Sequence, residues 1–193
     1  MKVIRYTLKF WLPLATAVTM LSGLVYIAVQ QNMRIGANDP QIQLAEDAAR
    51  ALAAQQSLDS IVPFGKIDIA QSLAPYMIIF DAQGNPVTSN AVLHGAVPNI
   101  PKGVFDYTRA HAEDRVTLMP EPGVRSAAVV VSVTGGQGDF VLAGRSLREV
   151  EKRVDQLTKQ VGAAWLASML VTLVLVLLFE VLTFQRNLAD HRQ

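Results

Sequence analysis

The sequence predicts an α+β membrane protein, with two transmembrane helices flanking a domain built on a five-stranded antiparallel sheet. Three observations lead there. Two apolar blocks, Phe10 to Val29 and Val161 to Phe184, contain a single charged residue between them, Glu180. Each matches the roughly 20 residues that about 30 Å of hydrocarbon requires of a helix. A segment of helical period follows the first block, and beyond it short apolar runs alternate with clusters of Gly, Pro, Asn and Asp. Helix, two strands, helix and three strands, in that order, fit an antiparallel sheet with helices added rather than the regular alternation of a parallel one.

Spans are expected at 10–30 and 162–184. Lys2, Arg5 and Lys9 precede the first, and Arg186 and Arg192 follow the second, so both tails, 1–9 and 185–193, are expected in the cytoplasm and the intervening chain outside it. The basic leader also suits a secretory signal. However, the apolar run exceeds the usual length of one, and Gln30-Gln31-Asn32-Met33-Arg34 offers no small-x-small cleavage site; an uncleaved anchor is expected. Trp11 and Trp165 stand near span ends, where indoles anchor at the lipid interface. Between the spans lie 12 basic and 14 acidic residues, a balance that argues against a nucleic-acid partner. The absence of cysteine excludes disulfides, thiol catalysis and thiolate metal sites.

Within the outer part, 31–72 is read as helical and 73–146 as the sheet domain. Asp39 suits an N-cap and Pro40 a first helical position; Ile42, Ala45, Ala49 and Leu52 share one face of a helix over 40–56. A turn is expected at 57–64 and a short second helix from Ile67 to Leu73. Tyr76-Met77-Ile78-Ile79-Phe80, the turn cluster Asp81-Ala82-Gln83-Gly84-Asn85 and Pro86-Val87-Thr88-Ser89 read as a hairpin. A loop over 91–101 and a helix from Lys102 to Glu113 follow. The remaining strands are Arg115 to Met119, Arg125 to Thr134 and Phe140 to Gly144, separated by Pro120-Glu121-Pro122-Gly123 and Gly135-Gly136-Gln137-Gly138.

Ser146-Leu147-Arg148-Glu149 reads as a capping box, with Ser146 at N-cap and Glu149 at N3. Leu147, Val150, Val154, Leu157 and Val161 then alternate spacings of three and four, a heptad seam over 147–161 that runs into the second span. Such a seam suits a homodimer or a signalling helix; packing within the subunit against Leu24 and Ile27 is the alternative. One helix from Leu147 to Phe184 would measure about 57 Å.

This arrangement resembles the extracytoplasmic Cache (PAS-like) sensor domains of bacterial receptors. The resemblance covers about positions 30 to 184 and rests on the helix at 40–56, on Ile78-Ile79-Phe80-Asp81-Ala82-Gln83-Gly84-Asn85-Pro86-Val87, and on Val141-Leu142-Ala143-Gly144-Arg145-Ser146-Leu147-Arg148-Glu149-Val150. It implies that the first stretch opens the sheet, the second feeds a signalling helix, and the domain lies in the periplasm above a bacterial inner membrane. Receptors of this type continue into a cytoplasmic output module. Only Gln185 to Gln193 follow the second span here, so action through a membrane or cytoplasmic signalling partner is expected.

The resemblance places Tyr107, Arg109, Arg115 and Arg125 where that family lines its pocket. An arginine there grips a carboxylate or phosphate through two parallel hydrogen bonds; the alternative is that all are surface residues. His111, Glu113, Asp114 and Asp106 match no metal-ligand spacing and read as a solvated helix end, while His94 and His191 stand alone. Glu180 is a functional candidate as an intramembrane acid, or it simply snorkels. No cofactor is implied, and no triad or metal spacing points to an enzyme. Two functions remain: a small-molecule sensor or regulator in the bilayer, and a structural or accessory subunit of a larger membrane complex with no such ligand.

Overall fold

The computed structural model describes residues 2–36, 39–134 and 139–190, with side chains over 7–185 of that range. The glycine cluster at 135–138, residues 37–38, His191 and Arg192, and the side chains of Lys2, Arg5 and Arg186 lie outside the described residues. The chain forms two compact units, Met33–Lys152 and a helical pair drawn from the two ends.

In the first unit, α2 (Asp39–Ala53) is followed by α3 (Leu58–Ile61), β1 (Ile67–Asp68), β2 (Tyr76–Phe80), β3 (Pro86–Ser89), β4 (Ala91–Val92), α4 (Lys102–His111), β5 (Glu113–Glu121), β6 (Val124–Ser132) and β7 (Phe140–Ser146). Five strands make one antiparallel sheet in the order β3-β2-β7-β6-β5. Side chains alternate across a strand, and both faces are buried. Tyr76, Ile78, Phe80, Ala128, Val130, Phe140 and Leu142 face one core with Phe105 of α4. Met77, Ile79, Val129, Val141, Ala143 and Val133 face the other, under Ala45, Ala48 and Leu52 of α2. Helix α2 therefore belongs to the same unit as the sheet, and the change of character at 72/73 is not a domain boundary.

Helix α2 stops at Ala53, short of the expected 56. Gln55 takes a left-handed φ of 56°, its N–H donating to Leu52 O, while the N–H of Gln56 donates to Ala51 O. These are the two bonds of a Schellman stop, here with glutamine where glycine is usual. The turn expected at 57–64 contains α3. The helix expected over 67–73 is absent: Ile67–Asp68 is a strand, paired in parallel with Ala91–Val92 inside the expected loop. Ile69 is buried at a spacing of two from Ile67, and Asp68 Oδ1 accepts the Ala70 N–H, turning the chain before a helical repeat is complete. β5 runs through Pro120, which an edge strand tolerates because one row of its N–H groups needs no partner.

The first hairpin turns where expected. Asp81 accepts the N–H groups of Gln83 and Asn85 and the Asn85 side-chain amide, and the Asn85 amide does most to hold its carboxyl below the ordinary value. Gly84 has φ +82°, and a Cβ there would sit 3.0 Å from the Phe105 ring. That ring lies 4.9 Å from Phe80 and 5.2 Å from Phe140, tilted against both.

In the second unit, α1 (Lys2–Gly36, with Pro13 inside it) pairs with α5 (Arg148–Asp190). Both are long and apolar enough to cross a membrane, and their most apolar windows are only 6% buried within the chain. Among the described side chains, four hydrogen bonds cross the pair: Thr158 to Tyr26 (3.3 Å), Trp165 to Thr19 (3.0 Å), Trp11 to Thr172 (3.2 Å) and Thr7 to Glu180 (2.8 Å). Descending one helix means ascending the other, so the pair is antiparallel; the rungs are seven or eight residues apart on α5, and on α1 except for the four-residue step from Trp11 to Thr7. The two indole N–H groups thus bond inside the pair.

Phe105→Ala removes a ring that is 4% exposed and should cost about 3–5 kcal/mol in chemical unfolding of the full chain in micelles. Phe64→Ala removes one that is 96% exposed and should change stability by less than about 0.5 kcal/mol. Equal effects would contradict this core.

Candidate functional site

The four residues assigned to a ligand are not brought together. Arg115 and Arg125 lie on the α2 side of the sheet: Arg115 pairs across the strands with Val129, and Arg125 falls two residues before Ala127 on β6. Tyr107 and Arg109 belong to α4, whose Phe105 packs on the opposite face. Each is already engaged. Arg115 Nε lies 2.5 Å from Glu113 and Arg125 Nη1 2.6 Å from Glu151. Arg109 pairs with Asp106, donates to Ala82 O and covers the Phe140 ring. Tyr107 stacks on His111, which leaves that histidine packed on its own helix. Strand parity puts Arg115 and Arg125 on one side of the sheet, while α4 carries Tyr107 and Arg109 on the other, so the four do not converge on one anion.

A cavity of about 450 Å³ opens elsewhere, between the loop after β4 and the end of β5. Its walls are Ile69, Tyr76, Leu118 and Met119, closed by residues of the 93–101 loop. None of the four expected residues lines it. Tyr76 is fixed by its cross-strand partner: it pairs with Gly144, where a Cβ would meet the ring carbon Cζ at 2.4 Å. Only glycine lets the ring lie across β7. Burial pushes the Tyr76 phenol above its ordinary value of 10.0, with the nearby Ser126 hydroxyl a smaller opposing influence. The two fall outside hydrogen-bond geometry, which leaves the buried Ser126 Oγ without a partner.

The rim is clasped. Leu93 and Ala96 exchange both backbone hydrogen bonds, at 2.8 and 3.1 Å, around His94 and Gly95 with φ of 52° and 82°. Positive φ at both central positions is the signature of a type I′ hairpin, and histidine is among the residues that tolerate it. This turn carries His94 Nε2 to 2.7 Å from Glu121 Oε2, joining the loop to the end of β5. The hydrogen bond and charge of Glu121 raise the His94 pKa from 6.5, and Asp68 adds to it. The sequence reading left His94 without a role; the His-Gly pair between apolar neighbours was the available signal.

The segment read as a cap and seam is partly repositioned. Ser146 is the last residue of β7, paired with Ser126, and its Oγ accepts from Arg148 N–H at 3.3 Å rather than from the third helical residue. Glu149 reaches forward to Lys152. Sheet register takes Ser146, and α5 begins at Arg148. Leu147 donates its N–H to Arg125 O at 2.8 Å. Val150, Val154, Leu157 and Val161 are half-buried. Val161 lies between Thr158 and Trp165, on the face bonded to α1, whereas Leu24 and Ile27 are exposed. Glu180 accepts from Thr7 through one oxygen, and its other oxygen is shielded and unpartnered.

Compared with family models, characterised proteins and solved structures, the chain matches none.

Because its folded pKa is raised, protonated His94 stabilises the fold fully below the unfolded value near 6.5, and this contribution is lost as pH rises through the folded value. The thermal midpoint should therefore fall above about pH 6.5 in the wild type, and this part of the slope should vanish in Glu121→Gln. An unchanged slope in that variant would dismiss the clasp.

Proposed function

We propose that this chain is a membrane-anchored, extracytoplasmic sensory or regulatory protein, in the manner of a Cache-like domain in a bacterial inner membrane. The outer domain binds a small molecule and acts through a partner protein, with both termini cytoplasmic. The observation that carries the reading is the direct passage from sheet to long helix. One residue, Leu147, separates β7 from α5, and α5 then runs unbroken from Arg148 to Asp190. Its first turn is tied to the sheet by Arg125–Glu151, while Arg148 is tied to the Gln71 carbonyl.

Two further features support it. The apolar surfaces of α1 and α5 are left exposed, as helices surrounded by lipid require. The cavity falls in the range that takes small ligands, about 300–1,000 Å³. Leu147, Val150, Val154 and Leu157 remain the surface proposed for a homodimer or a partner helix. A structural or accessory subunit is the second reading, favoured by Phe64, exposed at the tip of a Pro63-Phe64-Gly65 turn, where it offers an apolar contact to another protein.

The chain's lack of cysteine makes topology directly testable. Gln83→Cys should react with an impermeant maleimide in intact spheroplasts and Lys9→Cys should not, with the protein retained in membranes at alkaline pH. Release by alkali would end the membrane reading, and the reverse labelling would overturn the proposed orientation. A thermal-shift screen of the full chain against metabolites should find a stabilising compound; a folded sample stabilised by none, recovered only in a stoichiometric complex, would favour the accessory subunit.

A further inference from the structure

We propose that the cavity selects a neutral, mainly apolar small molecule and discriminates against carboxylates and phosphates. This rests on the ligand-binding reading above and names the class of ligand.

The argument is one of placement. Ile69, Leu93, Ile100, Leu118 and Met119 supply the walls, and no lysine, arginine or carboxylate lines them. The one ionisable group on the rim besides the Tyr76 phenol is His94, whose charge is already matched by Glu121 at 2.7 Å. Three of the domain's arginines are paired away from the cavity, Arg109 to Asp106, Arg115 to Glu113 and Arg125 to Glu151. Lys102, which follows the lining residue Pro101, is exposed and is not among the lining residues. An anion entering this space would lose its hydration and find no cation in return, a large penalty. An apolar molecule loses nothing comparable and can cover Val97 and Met119, which are 36% and 62% exposed. Polar recognition is confined to the Tyr76 phenol and the Asn99 and Thr117 positions, enough to orient one hydroxyl or carbonyl. A second filter is steric. The 93–101 loop is held to the end of β5 by His94–Glu121, so a ligand larger than the cavity must open the clasp.

A matched pair of photoaffinity probes tests this on the full chain in lipid nanodiscs: a diazirine-bearing alkyl alcohol and the carboxylate of equal length. Mass spectrometry of the products should place the alcohol on peptides containing 93–101 and 117–120, with the carboxylate at least about tenfold weaker there; labelling of α1 and α5 by both serves as the internal control. Leu118→Trp should abolish the cavity labels and spare the spans. Met119→Arg changes a residue that is 62% exposed, leaves the core intact and should reverse the preference towards the carboxylate. Equal or stronger labelling by the carboxylate in the wild type overturns the proposal while leaving a ligand-binding domain in place. Labelling confined to the spans, with no compound in the metabolite screen protecting the cavity peptides from hydrogen exchange, overturns both.

Discussion

The inner strands of this domain have no solvent face, and most of its architecture follows from covering them twice. All five residues of β2 are buried, as are five consecutive residues of β6 and of β7. Helix α2 covers one side with small residues, Ala45 and Ala48, which bring its axis close to the sheet, and with Leu52. Cover on the other side is uneven. The Phe80–Phe140 end is filled by the Phe105 ring, which demands glycine at position 84. The Tyr76–Leu118 end has only the 93–101 loop and the short β1–β4 pair above it. The cavity lies where helical cover runs out.

The helical pair obeys a different constraint. Apolar side chains all round a helix give lipid no reason to prefer one register of the pair over another, so polar rungs must do so. Each such bond contributes only about 0.6 kcal/mol in a membrane on average, yet sliding α5 past α1 breaks all four rungs together. In the bilayer proposed for it, this hairpin resists piston motion of one helix and allows the pair to tilt or rotate as a unit. From Thr158 onward, polar residues of α1 bond to α5 at Thr158, Trp165, Thr172 and Glu180.

Much of the fold was legible in local pattern. The five strands, the Asp81–Asn85 turn and α2 follow from short runs of clear period or punctuation, and α4 from a more modest helical period. The failures share a cause: a distant partner decided the outcome. Ile67–Asp68 became a strand because Ala91–Val92 was available to pair with it, and Ser146 gave up its cap because Ser126 held it in the sheet. Alternation puts Arg115 and Arg125 on the α2 side of the sheet, whereas the cavity opens on the side of Tyr76 and Leu118, and alternation alone does not say which face keeps a void. The His94–Gly95 turn was readable from type I′ chemistry, whereas its meaning depended on Glu121, 27 residues away.

Position, finally, links the cavity to the helix. Tyr76 forms part of its wall and pairs directly with Gly144, two residues before β7 ends at Ser146. The ring lies so close over Gly144 that a Cβ there would collide with it, so the phenol lies against the backbone of that strand with no side chain between. Between Gly144 and the first turn of α5 stand Arg145, whose Nε is held by Leu73 O, and Leu147, held by Arg125 O. Those bonds leave the junction little freedom to absorb a displacement locally. A molecule that moves Tyr76 therefore acts at the end of the strand that becomes the helix, and glycine at 144 is what places the aromatic wall within reach of it.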